Sequence, residues 1–192
     1  MKFFQNRAVA IVLTVAAVLA STLLSARVGM SRDCNKLHES FFSVGGKTPV
    51  YYVDQQISAA ASLATVADHY DQLSGDAVRA ARKALIEAEA GWDISDIYDA
   101  STALSAAVDE LSAAAASVAM TEADKSTFAD GTAAVAGARR QLLESDYNVQ
   151  AMALIRKNYS RVPGSLLAQW LGIPRPELFA EVQPGKNALS SP

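Results

Sequence analysis

Residues 50–74 read VYYVDQQISAAASLATVADHYDQLS, and this stretch decides what kind of fold the chain can adopt. Two apolar seams run along it side by side. One holds Val53, Ile57, Ala60, Ala64 and Ala67; the other holds Tyr52, Ala59, Leu63, Val66, Tyr70 and Leu73. The steps alternate between three and four residues, with Gln56 interrupting the second seam, and that is the period of a helix burying a broad stripe. Thr48-Pro49 opens the helix with a capping hydroxyl and a proline in the first turn. Gly75 is expected to stop it.

Working outward, the same helical signals recur. Asp76 opens a shorter helix running to Glu89, with Gly91 at the left-handed position that ends helices. Asp93 begins another, with Asp96 three residues on in the manner of a capping box. It carries Ile94, Ile97, Leu104, Val108 and Leu111 and fades into the run of alanines at 113–116. Thr121-Glu122-Ala123-Asp124 is a further start signal. One long final helix follows, with sevenfold spacing at Phe128, Val135, Leu142 and Val149, backed by Ala138, Met152 and Tyr159, and ended by Pro163. Gly131 and Gly137 lie inside that helix rather than after a strand, so they suit close helix approach and not a phosphate loop. Composition agrees with helices: 37 of the 192 residues are alanine, which makes a thin core. No stretch sustains period-two alternation, and no strands are expected.

The N-terminus carries a different signal. Residues 8–26, AVAIVLTVAAVLASTLLSA, contain no charge across 19 positions, enough helix to cross a hydrocarbon layer roughly 30 Å thick. A cleavable signal peptide is the rival reading, with Val18-Leu19-Ala20 or Ala26 before the cut. The run exceeds the usual apolar region of about 7–15 residues, which favours a retained anchor over residues 1–27. Lys2 and Arg7 favour a cytoplasmic N-terminus and an extracytoplasmic body, a bias that Arg27, Arg32 and Lys36 blunt from the other flank. Residues 28–47, with charge, serines and Gly45-Gly46, read as a linker or collar. The helical bundle then occupies 48–181, and 182–192 reads as a mobile tail.

Charge and chemistry narrow the function. Residues 51–130 hold 14 acidic and 4 basic side chains, and residues 131–192 hold 4 acidic and 7 basic. An acidic pair of helices against a basic final helix suits antiparallel packing, though exposed pairs contribute only about 0–1 kcal/mol each, and simply solvated faces are an equal alternative. One cysteine excludes an internal disulfide framework and Cys-rich zinc modules. His38 beside Glu39, and His69 between Asp68 and Tyr70, lack the partners of a nucleophile set, and no Gly-x-Ser-x-Gly elbow occurs. Cys34 and His38 are four apart but lack a third metal ligand, so Cys34 reads as a free thiol or an intermolecular crosslink. Asp93, Asp96 and Asp99 read as caps and a solvated face, not a calcium loop. Arg139-Arg140 and Arg156-Lys157 are too sparse a basic patch for nucleic acid. No cofactor, metal or small-molecule substrate is expected.

The last quarter carries the most specific pattern: Ala138-Arg139-Arg140, Tyr147-Asn148-Val149, Tyr159-Ser160-Arg161-Val162-Pro163-Gly164-Ser165-Leu166-Leu167-Ala168, then Leu171-Gly172 and Phe179. It resembles the C-terminal signature of the LemA family over about residues 136–181, and residues 53–66 look like that family's first long helix. This chain departs there, with Ala and Ser where the family carries arginines and a leucine-isoleucine-proline-asparagine stretch. The resemblance implies an all-α fold, an N-terminal transmembrane helix followed by an elongated antiparallel helical bundle, no established enzymatic activity, and a bacterial source. Arg139, Tyr147, Asn148, Tyr159, Pro163, Leu166, Leu167 and Phe179 are its motif positions, and all read as structural. Physically, Pro163 and Gly164 turn a corner, after which Leu166, Leu167, Trp170 and Leu171 form a short amphipathic piece folded over the bundle end. Trp170 is expected to cap that end in preference to touching a partner or membrane surface. The reading is of a non-catalytic scaffold or interaction module in the bacterial cell membrane, held to the bilayer by its first helix and engaging a protein partner or itself. A self-assembling, membrane-shaping protein is the alternative, and an envelope enzyme with a cryptic site is third.

Overall fold

The computed structural model describes residues 7–43, 47–160 and 164–180. Seven helices account for most of them: α1 (Arg7–Phe42), α2 (Pro49–Ala67), α3 (Asp76–Gly91), α4 (Ile94–Ala115), α5 (Glu122–Leu143), α6 (Asp146–Asn158) and α7 (Gly164–Trp170). No strand occurs among the described residues, so the chain is all-α with a long apolar helix first. It divides into two compact units, Met1–His38 with Met152–Pro176, and Glu39–Ala151 with Glu177–Pro192. Helices α1 and α6 each contribute to both.

The larger unit is an antiparallel bundle of α2 to α5. Local sequence sets the helix ends much as the caps predict. Thr48 precedes Pro49 in extended conformation, but its hydroxyl makes no capping hydrogen bond, and at α3 the N-cap is Gly75 rather than Asp76. The Asp93 side chain accepts from the Asp96 N–H at 3.0 Å, and Thr121 Oγ1 accepts from the Asp124 N–H at 3.1 Å. Burial follows the two seams: Val53, Ala60, Leu63, Ala64, Val66 and Ala67 of α2 lie inside with Ile97, Leu104 and Val108 of α4 and Phe128, Val135 and Leu142 of α5. Because α2 supplies alanines at the contact, backbones can approach closely. At Gly131 the approach of α5 to α2 is close, since a Cβ there would lie 2.9 Å from Leu63, whose side chain is fully buried.

Helix α2 ends at Ala67, well before Gly75. The reason lies in Tyr70, whose hydroxyl donates to Asp124 Oδ2 at 2.7 Å and accepts from the Thr121 N–H at 2.9 Å. Continuing the helix would carry Tyr70 away from the α5 N-terminus, whose orphan N–H groups and carboxylate it satisfies. The Tyr70 and Thr121 hydroxyls together hold the Asp124 carboxyl below its ordinary value. At the end of α3 the left-handed residue is Trp92 (φ 58°) rather than Gly91. Trp92 stacks on Phe42 with ring centroids 4.6 Å apart, which offsets the roughly 1–2 kcal/mol cost of that backbone for a residue with a Cβ.

Two further boundaries differ from the sequence pattern. Where composition suggests a linker over 28–47, α1 runs unbroken to Phe42. Only Gly29 opposes it, at about 1 kcal/mol, while Leu37, Phe41 and Phe42 become buried. Gly45-Gly46, Pro163 and the 182–192 tail lie outside the described residues. The long final helix is broken at Glu144-Ser145 into α5 and α6. The heptad series accordingly fails at its fourth member, Val149, which is 68% exposed, and Tyr147, Ala151 and Ile155 face inward instead. The sevenfold spacing is continuous in sequence, but the turn between α5 and α6 resets the buried face.

In the smaller unit, α1 carries a stripe of partly or fully covered residues at Leu23, Ala26, Met30, Cys34 and Leu37. Lys157 of α6 pairs with Asp33 at 3.3 Å. By contrast the apolar face from Ile11 to Leu19 is exposed, and none of the most apolar window of α1 is buried.

The two helical glycines give a paired prediction. Gly131→Ala is expected to lower stability by about 1–3 kcal/mol through overpacking against Leu63. Gly137→Ala meets nothing within 4 Å and should raise it by up to about 1 kcal/mol through helix propensity. Chemical denaturation of both variants checks this; equal effects would mean that α5 does not approach α2 at Gly131.

Candidate functional site

The motif residues fall into two places. In the larger unit, four of them gather around the segment 177–179. This segment follows Pro174 and Pro176, is not helical, and needs partners for its buried backbone groups. Asn148 in the first turn of α6 supplies two: its Nδ2 donates to the Phe179 carbonyl at 3.1 Å, and its Oδ1 accepts from the Phe179 N–H at 3.0 Å. The Tyr147 hydroxyl donates to the Glu177 carbonyl at 2.9 Å. Glu177 Oε2 in turn accepts from the Ile94 N–H at 3.0 Å, satisfying an orphan donor at the start of α4.

Phe179, only 1% exposed, plugs the centre of this arrangement. Its ring lies 5.3 Å from Tyr98 and 6.2 Å from Phe41, and Phe41 meets Tyr147 edge-on at 5.1 Å. Arg139 of α5 reaches the same neighbourhood from the other side. Its guanidinium lies 6.0 Å from the Tyr98 ring centroid and donates to Thr102 Oγ1 at 3.0 Å and to the Ser101 carbonyl at 3.4 Å. At Arg139 the expected match of a basic final helix to acidic helices is thus made by a carbonyl, a hydroxyl and a ring, not by a carboxylate.

One functional polar pair escapes a motif-based reading. Ser101 Oγ donates to Gln56 Oε1 at 2.7 Å, and Gln56 is fully buried with its Nε2 left without a partner. The interruption of the apolar seam by Gln56 is the sequence signal for it. Tyr98 and Glu177 carry no such signal, because their roles depend on where 177–179 docks.

The remaining motif residues lie in the smaller unit or between described residues. Tyr159 donates to the Pro174 carbonyl at 2.7 Å and lies 3.3 Å from Cys34 Sγ. Burial, then the Cys34 hydrogen bond, pushes the Tyr159 phenol well above its usual range. Cys34 is a free, half-buried thiol engaged with that hydroxyl, a poor arrangement for an intermolecular crosslink. Leu166 is 51% exposed and Trp170 is 83% exposed. Trp170 therefore does not cap the bundle: Ala168, not the indole, is the buried residue of α7.

No group of three or more metal-ligating side chains occurs among the described residues. His69 Nδ1 lies 3.4 Å from Asp124 Oδ1 on the surface, where that carboxylate already serves Tyr70 and Thr121. One opening in the larger unit is a groove of about 420 Å³ between α4 and α5, lined by Val108, Val135 and Leu143 together with Asp109, Arg139 and Arg140. Such a groove can take an apolar side chain of a partner; it presents no poised acid, base or nucleophile. Comparison with family models, curated proteins and solved structures gives no match.

Asn148 generates the prediction here. Asn148→Ala leaves both backbone groups of Phe179 unpaired and is expected to cost about 1–3 kcal/mol. Asn148→Asp keeps the acceptor but sets a carboxylate against the Phe179 carbonyl, so it should not rescue. Urea unfolding of the two variants would contradict the pairing if either matched the parent.

Proposed function

We propose that this chain is a non-catalytic, single-pass membrane protein of the LemA-like kind. In this reading it serves as a scaffold or protein-interaction module in the bacterial cell envelope, with its body on the extracytoplasmic side. The observation that carries the reading is α1, a continuous 36-residue helix whose first half presents bare apolar side chains. Water disfavours such a surface, and a bilayer removes the penalty. The family reading is supported by where its motif positions fall, since Arg139, Tyr147, Asn148 and Phe179 meet around one docked segment, as a set of residues acting together would.

The non-catalytic reading is supported by what the polar motif groups are bound to. Asn148 and Tyr147 satisfy main-chain groups, Arg139 meets a hydroxyl and a carbonyl, and Tyr159 holds a carbonyl. Each is committed to holding the fold, and in this reading the α4–α5 groove offers the partner contact. The outward orientation is supported by Lys2 and Arg7 ahead of the span, which resemble a signal-anchor start.

Because Cys34 is half-buried and hydrogen bonded, it is a poor topology probe. A Cys34→Ser chain with Ala119→Cys in the exposed α4–α5 connection serves better. Labelling of intact cells by a membrane-impermeant maleimide is the expected result. Labelling only after permeabilisation would put the body in the cytosol and overturn the envelope assignment.

A further inference from the structure

The two units differ sharply in charge. The unit containing the membrane-spanning part of α1 holds nine basic side chains and one acidic one, while the other holds eight basic and 19 acidic. On a chain of net charge −3, this leaves +8 on the first unit and −11 on the second; Lys2 and Arg7 precede the span, so +6 of the first unit's charge lies on the side of the leaflet that α1 leaves. Arg27, Arg32 and Lys36 on α1, Arg156 on α6 and Arg175 after α7 are all exposed. The one acidic partner in the unit, Asp33, is taken by Lys157.

Within the same unit α7 presents an apolar face to the outside. Leu166 and Trp170 stand one helical turn apart, 51% and 83% exposed, with Ala168 and Ile173 buried beneath them. The segment is held against α1 near Cys34, since Tyr159 Oη reaches both Cys34 Sγ and the Pro174 carbonyl that follows α7. Cys34 lies seven residues beyond Arg27, about 10 Å along a helix. That distance spans the headgroup layer outside the hydrocarbon edge, which accounts for roughly 5–8 Å on each side of a bilayer. The partly covered stripe of α1 begins as far back as Leu23 and Ala26.

We propose that α7 is a second membrane contact: Leu166 and Trp170 seat in the headgroup region of the leaflet that α1 leaves, over anionic lipid drawn by the cationic unit. Tryptophan belongs at that depth because its ring is apolar and its N–H stays within reach of water and headgroups. Each nearby lysine or arginine adds attraction to anionic headgroups, and salt weakens it. The proposal rests on the reading of α1 as a bilayer span, and the test separates the two.

The full chain with Trp92→Phe, which leaves Trp170 as the single indole, is reconstituted in phosphatidylcholine–phosphatidylglycerol vesicles and floated on a density gradient. Failure to float would remove the α1 reading and this proposal with it. In the floated protein, Trp170 emission is expected to be blue-shifted, protected from acrylamide, and quenched more by lipids brominated high on the acyl chain than by those brominated near its end. Omitting phosphatidylglycerol should reduce that quenching. Emission like that of indole in water, unaffected by brominated lipid, would overturn the proposal with α1 still inserted. A blue shift without bromine quenching would overturn it too, by placing a second copy over α7. Subtracting the emission of Trp170→Phe from that of the parent gives the same reading without disturbing the Phe42–Trp92 stack.

Discussion

The bare apolar surface of α1 constrains everything else in this protein. Eight large side chains from Ile11 to Val28 stand between 46% and 66% exposed, and removing each from water gains about 1.5–3 kcal/mol. Nothing in the described chain covers that face, and helices α2 to α5 are too occupied with one another to do so. The first helix is thus long and apolar enough to cross a membrane, and charge is divided unevenly along the chain. Basic side chains collect in the unit that contains the apolar part of α1, and acidic ones dominate the other.

Within the bundle of α2 to α5 the fold depends on close approach. A core rich in alanine gains little per residue by burial, so the helices must come near enough for backbone and side-chain contacts to add up. Gly131 against Leu63 marks one such close contact between α5 and α2. The segment 177–179 then closes the larger unit by inserting Phe179 between Tyr98 and Phe41, with its main chain held by Asn148 and Tyr147. This one docked segment ties the start of α4, through Glu177, to the start of α6. It explains why residues far apart in sequence behave as a single cluster.

Much of this was legible from residue order alone. Period and caps located α2, α4 and the start of α5, because Thr48-Pro49, Asp93 and Thr121 act within a turn of themselves. The long apolar first helix was legible because residues 8–26 carry no charge over nineteen positions. Helix ends that depend on distant partners were not. Tyr70 leaves its helix to serve Thr121 and Asp124, Trp92 takes the left-handed position because Phe42 stacks on it, and Val149 loses its place in the heptad because α5 and α6 are separate helices. Asn148 and Phe179 were picked out by resemblance, but their mutual pairing depends on how 177–179 returns to α6, which no local pattern encodes. Trp170 was misjudged for a related reason: an amphipathic seven-residue helix has an apolar face in sequence, but only the fold shows which residue of it is covered.

The central claim is that α1 remains in the protein and in the bilayer. Alkaline carbonate extraction of native membranes, with intact mass measured on the pelleted chain, tests it most directly. The account predicts a full-length chain, uncleaved after Ala20 or Ala26, that stays with the membrane pellet. A shortened chain released into the supernatant would show that the first helix is a signal removed on export, and would contradict the anchored scaffold.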